Sequence, residues 1–309
     1  MTASNPTPAD ISAARERGKG VVLHTPVIPS AYLSQRFGGK IVLKAENLQR
    51  TGAFKIRGAM NKLSQLGNAK ETGVVAGSAG NHAQGLALAA KHFGAKCDIF
   101  VPKGASLSKI AATKHHGATV LDGGESVDTA VAAALARAKE TGMAFCHPYD
   151  DLDVIAGQGT LGLELLEDID DLELLIVPLG GGGLLSGTAL AIKHQRPNVK
   201  IIGVQASICA PFIHDTFPHG QILTLADGIA LAQVLLSLTD TDPDGDLVEA
   251  GTDAVVEATS TSSLSLGTGA KTLTTATGGA WTAGDWISLI SSSNAATRMY
   301  GQVSAYNAG

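Results

Sequence analysis

The stretch "LELLIVPLGGGGLLSGTALAIKHQRPNVKIIGVQA", residues 172–206, decides the fold class. It opens on an apolar run that reads as a buried strand entering a glycine loop, "LELLIVPLGGGG" (172–183). A helix-like segment follows, "LLSGTALAIKHQRP" (184–197), and then a second strand, "VKIIGVQA" (199–206). Strands that alternate with helices in this way belong to a parallel sheet covered on both faces.

The same alternation runs through residues 21–227. "KIVLKAE" (40–46), "GVVAGSAG" (73–80), "CDIFVP" (97–102) and "ATVLDGG" (118–124) read as strands. "FKIRGAMNKLSQL" (54–66) reads as a helix with Ile56, Met60 and Leu63 on one face. "NHAQGLALAAKHFG" (81–94) is an Ala-rich helix closed by Gly94, and further helices are expected at 106–117 and 125–141. The pattern changes near residue 231. "TDTDPDGD" (239–246) is an acidic, turn-rich linker. The last stretch is rich in Ser, Thr and Gly, and alternation in "SLSLGTG", "KTLTTA" and "YGQVSAY" predicts short antiparallel strands.

A chain of 309 residues is long enough for two packed domains. Its net charge of −5 argues against a nucleic-acid binder, which needs a basic patch. Cys97, Cys146 and Cys209 have no CxxC spacing, so they read as buried, reduced thiols rather than a disulfide frame or a zinc site. Residues 1–20 lack an apolar signal core and no apolar run is long enough to span a bilayer, so a cytoplasmic protein without membrane contacts is expected.

Three stretches carry candidate chemistry. In "TGAFKIRGA" (51–59) a single lysine, Lys55, stands between Phe54 and Ile56. A solvated lysine needs no such frame; an amine that must lose its proton and attack a carbonyl does, because desolvation lowers its pKa. In "SAGNHAQG" (78–85), small residues at Ser78, Ala79 and Gly80 let backbone amides approach an anion, and Asn81 can donate and accept beside them. The same residues also read as a plain strand–helix turn with Asn81 as N-cap. Gly180, Gly181, Gly182 and Gly183 expose consecutive amides ahead of a helix, a cradle for phosphate, although a tight turn is the simpler alternative. No Gly-Lys-Ser/Thr follows, which excludes a P-loop, and the dinucleotide spacing fails at Ser186. An amine, an anion cradle and a polar ring partner together suit a small aldehyde that carries a phosphate, pyridoxal 5'-phosphate.

In this order and at these separations the three motifs resemble the serine/threonine dehydratase (threonine ammonia-lyase) family of fold-type-II pyridoxal-phosphate enzymes. The similarity spans residues 11–230 and includes "HTPV" (24–27), "KAENLQ" (44–49), "HPYDD" (147–151), "GQGT" (157–160) and "LADGIA" (225–230). It implies a tryptophan-synthase-β-like α/β fold with two open parallel-sheet domains. The large one is built from residues 1–70 and 148–230, the small one from 71–147. It implies that Lys55 holds the cofactor as a Schiff base and removes the Cα proton of a small amino acid, L-threonine or L-serine. Phe54 would pack beside the cofactor, Asn81 would bond its ring hydroxyl, and Gly180 to Gly183 with Leu184 would hold its phosphate. Ser78, Ala79, Gly80, Asn81 and His82 would bind the substrate carboxylate. A homo-oligomer is expected.

Serine racemases of this family carry a second serine after the position of Ser78; this chain has Ala79, which cannot take a proton, so elimination is favoured over racemisation, with a serine or aspartate racemase as the alternative. Where some relatives place a metal-binding glutamate the chain has Ser207, so no metal is expected. Residues 231–261 are expected to be a linker or divergent segment. Residues 262–309 resemble short β modules of phage tail-fibre proteins. A composite chain with impaired catalysis and an adhesion-type tail is therefore the rival expectation.

Overall fold

The computed structural model describes residues 5–78, 80–206, 209, 210, 212, 286–290 and 298–302. Ala79, Ser207, the "LADGIA" motif, the expected linker and the expected strands "SLSLGTG" and "KTLTTA" lie outside the described residues.

The chain divides into two compact units, Met1–Gly245 and Asp246–Gly309. The first opens with helix α1 (Pro8–Gly18), started by a capping box between Thr7 and Asp10. Strands β1 (Val27–Pro29) and β2 (Val42–Lys44) pair antiparallel around helix α2 (Ala31–Phe37). A 3₁₀ turn, Glu46–Leu48, then leads to α3 (Lys55–Gln65), and Ile56, Met60 and Leu63 are buried there as the periodicity predicts.

A four-stranded sheet follows, formed by β3 (Val74–Gly77), β4 (Cys97–Val101), β5 (Thr119–Asp122) and β6 (Ala144–Phe145). Its order is β5-β4-β3-β6 and every pair is parallel. Parallel neighbours require crossovers. The short helix α4 (Ala69–Thr72) precedes β3, and α5 (Asn81–Phe93), α6 (Leu107–His115) and α7 (Val127–Thr141) connect the strands. The central strand β3 is buried throughout, and a Cβ on its last residue, Gly77, would lie 2.6 Å from the carbonyl of Ala130 on α7. Gly94 ends α5 in the left-handed conformation, as read from the sequence.

The longest described helix, α8 (Leu152–Asp168), has no counterpart in the sequence reading. It packs on α1, α3 and on α9 (Gly183–Gln195). Strands β7 (Leu174–Pro178) and β8 (Lys200–Val204) flank α9 and pair in parallel. The buried-strand reading of residues 172–183 needs correction. Val177 is buried with Ile201 against α8 and α9, yet Leu174 and Ile176 are 45% and 60% exposed. Alternation along β7 sends these two side chains to the face opposite the helices.

Cys97, Cys146 and Cys209 are buried and form no disulfide, as expected. Among the described residues no helix is long and apolar enough to cross a membrane. In the second unit β9 (Trp286–Ile290) pairs antiparallel with β10 (Arg298–Gln302); β10 overlaps the start of "YGQVSAY", whereas β9 lies outside the stretches read as strands.

Candidate active site

Lys55 is the first residue of α3, which starts where the chain emerges from a turn at Gly52 with φ +71°. Its ammonium Nζ donates a 2.7 Å hydrogen bond to the carbonyl of Pro148 and lies 5.1 Å from the centroid of the Phe54 ring. Burial lowers its pKa from 10.5 to about 8. At neutral pH roughly one Lys55 in ten is therefore a free amine, where an ordinary lysine has almost none. The backbone is held as tightly as the side chain. A Cβ at Gly85 of α5 would lie 3.0 Å from the Lys55 carbonyl carbon and from the Ile56 amide.

The second stretch leaves β3 and enters α5. Ser78 N–H donates to the carbonyl of Phe100 at 2.9 Å, and the Ser78 hydroxyl accepts from Gly80 N–H at 3.2 Å. Gly80, not Asn81, is the N-cap; Asn81 is the first helical residue and is exposed. Gly80 has no positive φ, and a Cβ placed there would meet nothing within 4 Å. The protein itself thus makes no demand for glycine at 80. His82 is buried, and its Nε2–H donates to the carbonyl of Cys146 at 3.0 Å. Burial, then the charge of Lys55, lowers its pKa to about 3, so the ring is neutral. Nε2–H is taken by Cys146, and the His82 main-chain amide lies in the first turn of α5, which has no side-chain cap.

The glycine loop has a reason the sequence reading did not include. Gly182 is the N-cap of α9 with φ +87°, and a Cβ at Gly183 would lie 2.7 Å from the Tyr149 carbonyl oxygen. A Cβ at Gly181 would collide with the Tyr149 ring itself. Close packing of Tyr149 therefore requires two of these glycines. Gly180 and Leu184 are partly buried, and Leu184 packs into the core beneath β7.

One loop joins all three stretches. Residues 146–151 supply the Cys146 carbonyl to His82, the Pro148 carbonyl to Lys55 and Tyr149 to the glycine loop. The same loop is held by His147, whose Nδ1 accepts from the Asp150 amide at 2.7 Å. Burial lowers the His147 pKa, which keeps this acceptor unprotonated. Asp151 then caps α8, accepting from the amides of Asp153 and Val154.

The helix starts separate into two groups. α1, α2, α7 and α8 are capped by the side chains of Thr7, Ser30, Ser126 and Asp151. α3, α5 and α9, which begin at the three motif stretches, have no side-chain cap, and neither has α6. First-turn amides left without a cap, with the positive end of the helix dipole behind them, are what an anion binds.

An α/β chain with a lysine of lowered pKa at a helix start, linked through residues 146–151 to two uncapped helix N-termini, has the layout of a fold-type-II cofactor enzyme. The model of the pyridoxal-phosphate dependent enzyme family matches residues 19–281, and the chain belongs to that family. The match runs past residue 230, so the expected linker and part of residues 262–309 fall inside it. An L-threonine ammonia-lyase of Thermotoga maritima is 49% identical over 229 residues, covering 72% of this chain and 57% of that protein. The chain thus spans little more than half the length of that relative. Among solved structures, the processed form of threonine deaminase isoform 2 from Solanum lycopersicum superposes with a TM-score of 0.68 at 36% identity, covering 73% of this chain and 67% of that one. Maize serine racemase superposes with a TM-score of 0.69 at 34% identity, covering 74% and 71%.

The residues present fit pyridoxal phosphate. The amine is deprotonated at accessible pH, the space beside Gly80 is open, and α5 and α9 present uncapped amides.

Proposed function

We propose that this chain is a pyridoxal-phosphate-dependent ammonia-lyase that converts L-threonine or L-serine to a 2-oxo acid and ammonia. The observation that carries this reading is Lys55, an enclosed amine with a pKa of about 8 at the start of α3. When bound, the cofactor supplies an electron sink for the carbanion formed at Cα. Lys55 Nζ would hold the cofactor through its aldehyde and, as a free amine, would accept the Cα proton of the substrate. The amides of Gly180 to Gly183 and Leu184 would hold the phosphate, Phe54 would pack beside the ring, and Asn81 would bond its hydroxyl. The Ser78–His82 turn, with Ala79 and Gly80, orients the substrate carboxylate. Loss of the β-hydroxyl, as water, leaves an unsaturated amine, and its hydrolysis consumes water and releases the 2-oxo acid and ammonia.

Elimination is preferred over racemisation because Ala79 offers no base on the second face of Cα. The organisation carried into this reading is a large domain from 1–70 and 148–230, a small domain from 71–147, a homo-oligomer and a cytoplasmic location. A second reading concerns the C-terminal unit, Asp246–Gly309, with its hairpin of β9 and β10. Under it, residues 262–309 are a tail-fibre-like β module joined to most of an enzyme, and the chain binds cofactor with weak turnover.

The test is borohydride trapping of pyridoxal phosphate followed by peptide mass analysis, with a 2-oxo acid assay on L-threonine and L-serine. Label on Lys55 together with 2-oxo acid supports the lyase. Label without product supports the second reading, D-amino acid without 2-oxo acid supports a racemase, and label on another lysine overturns the site.

A further inference from the structure

The first turn of α3 is fixed by a residue that none of the roles above uses. Arg57 stands two residues after Lys55, and its side chain is 0% exposed. The guanidinium grips Glu46 through Nε and Nη2, both at 2.8 Å. It grips Glu164 of α8 through Nη1 at 2.6 Å and Nη2 at 3.0 Å. Thr160 Oγ1 accepts at 3.2 Å and the Leu23 carbonyl at 3.3 Å, so every guanidinium N–H has an acceptor. Glu164 also meets Lys44 at 2.8 Å, and Lys44 reaches Asp168 at 2.8 Å.

Backbone packing places this fork at a point with no slack. A Cβ at Gly157 of α8 would lie 2.6 Å from the Arg57 carbonyl oxygen and from Gly58 Cα. A buried ionic cluster is a poor device for stability alone, since an apolar cluster of the same volume does as well or better. What apolar side chains cannot supply is direction. A planar fork gripped by carboxylates on two sides fixes both rotation and translation of the turn that carries it.

We propose that Arg57 is a positioning residue for Lys55: clamped between Glu46 and Glu164, it sets the first turn of α3 so that Lys55 Nζ stays enclosed against the Pro148 carbonyl and faces the ligand-binding loops. The role for Lys55 rests on the function proposed above; the clamp itself is tested without cofactor or turnover.

The test compares the intact chain with Arg57→Lys, which keeps the charge and loses the fork, and with Leu165→Ala, a core truncation of α8 outside the clamp. The readout is the pH dependence of Lys55 acetylation by acetic anhydride, followed by peptide mass analysis, beside a melting curve. In the parent protein the midpoint is expected near 8. Arg57→Lys is expected to move it up by at least one pH unit, toward the 10.5 of a free lysine, while Leu165→Ala lowers the melting temperature and leaves the midpoint in place. An unchanged midpoint in folded Arg57→Lys, or an equal shift in Leu165→Ala, overturns the proposal and leaves Arg57 a packing residue. Should Arg57→Lys not fold, Glu46→Gln decides in its place, because it keeps the shape and loosens one side of the clamp. Absence of 2-oxo acid from the parent protein would count against the lyase reading and leave this comparison intact.

Discussion

Lys55 Nζ and the Pro148 carbonyl oxygen are joined by a 2.7 Å hydrogen bond across 93 positions of sequence. A carbonyl only accepts, so the bond survives whether Lys55 is an ammonium or an amine. It aims the nitrogen and favours the ammonium, the stronger donor, so the lowered pKa comes from enclosure and not from this bond.

Replacing Lys55 by alanine removes that nitrogen. Lys55→Ala is expected to lose all borohydride-trapped cofactor and all 2-oxo acid production. In the parent chain, trapping is expected to rise with pH through a midpoint near 8. Absorption spectra and peptide masses check both statements, and covalent cofactor retained by the variant would refute the placement of Lys55.

Acid should act through His82. Its folded pKa of about 3 lies below the unfolded value of 6.5, so the unfolded chain binds the extra proton. The stability it contributes is complete above pH 6.5 and is lost progressively as pH falls toward 3. His82→Gln keeps a donor for the Cys146 carbonyl and removes the titration. Melting temperatures from pH 7 to pH 4 are expected to fall more steeply for the parent than for the variant; parallel curves would show that His82 is not the sensitive group.

Gly157→Ala tests the contact between α3 and α8. The added methyl would sit 2.6 Å from Arg57 backbone oxygen, where no flexible side chain can yield. Overpacking of this kind costs about 1–3 kcal/mol. Urea unfolding should show a lower midpoint with an unchanged slope, and no loss of stability would mean that the two helices are not in backbone contact.

Gly181→Asp adds both bulk and charge where Tyr149 packs and where the phosphate is assigned. Cofactor affinity is expected to fall at least tenfold, about 1.4 kcal/mol, because the new carboxylate repels the phosphate dianion. Fluorescence titration with pyridoxal phosphate measures it. A variant that stays folded with unaltered affinity would reduce the loop to a turn.

The strand and helix alternation was readable because each of those segments keeps a simple period. α8 was not. Its sequence, "LDVIAGQGTLGLELLED" (152–168), holds Gly157, Gly159 and Gly162, residues that elsewhere mark turns. They sit inside a helix because α3 and α9 press on it. A Cβ at Gly159 would lie 2.8 Å from the Gly187 carbonyl, and one at Gly162 would lie 2.8 Å from the Ala191 side chain. The Arg57 clamp was hidden for a different reason. Glu46, Arg57 and Glu164 look like surface charges in sequence, and only the fold shows that they share one buried point. At the site, the lysine and the two loops were legible as motifs. The Tyr149 contact was not, since it depends on where residues 146–151 cross the molecule.

The backbone contacts along α8 also bear on how the chain comes into being. During synthesis α3 leaves the ribosome long before α8, yet Lys55 can be held only after Pro148, Glu164 and Gly157 have followed. Until then the lysine helix has neither its acceptor nor its clamp, and parallel strands such as β3 and β6 wait on equally distant partners. Such long-range closure is slow. The nascent amine therefore passes through a period without its acceptor or clamp, and the enclosure that lowers its pKa arises only once the late-made half of the unit has docked.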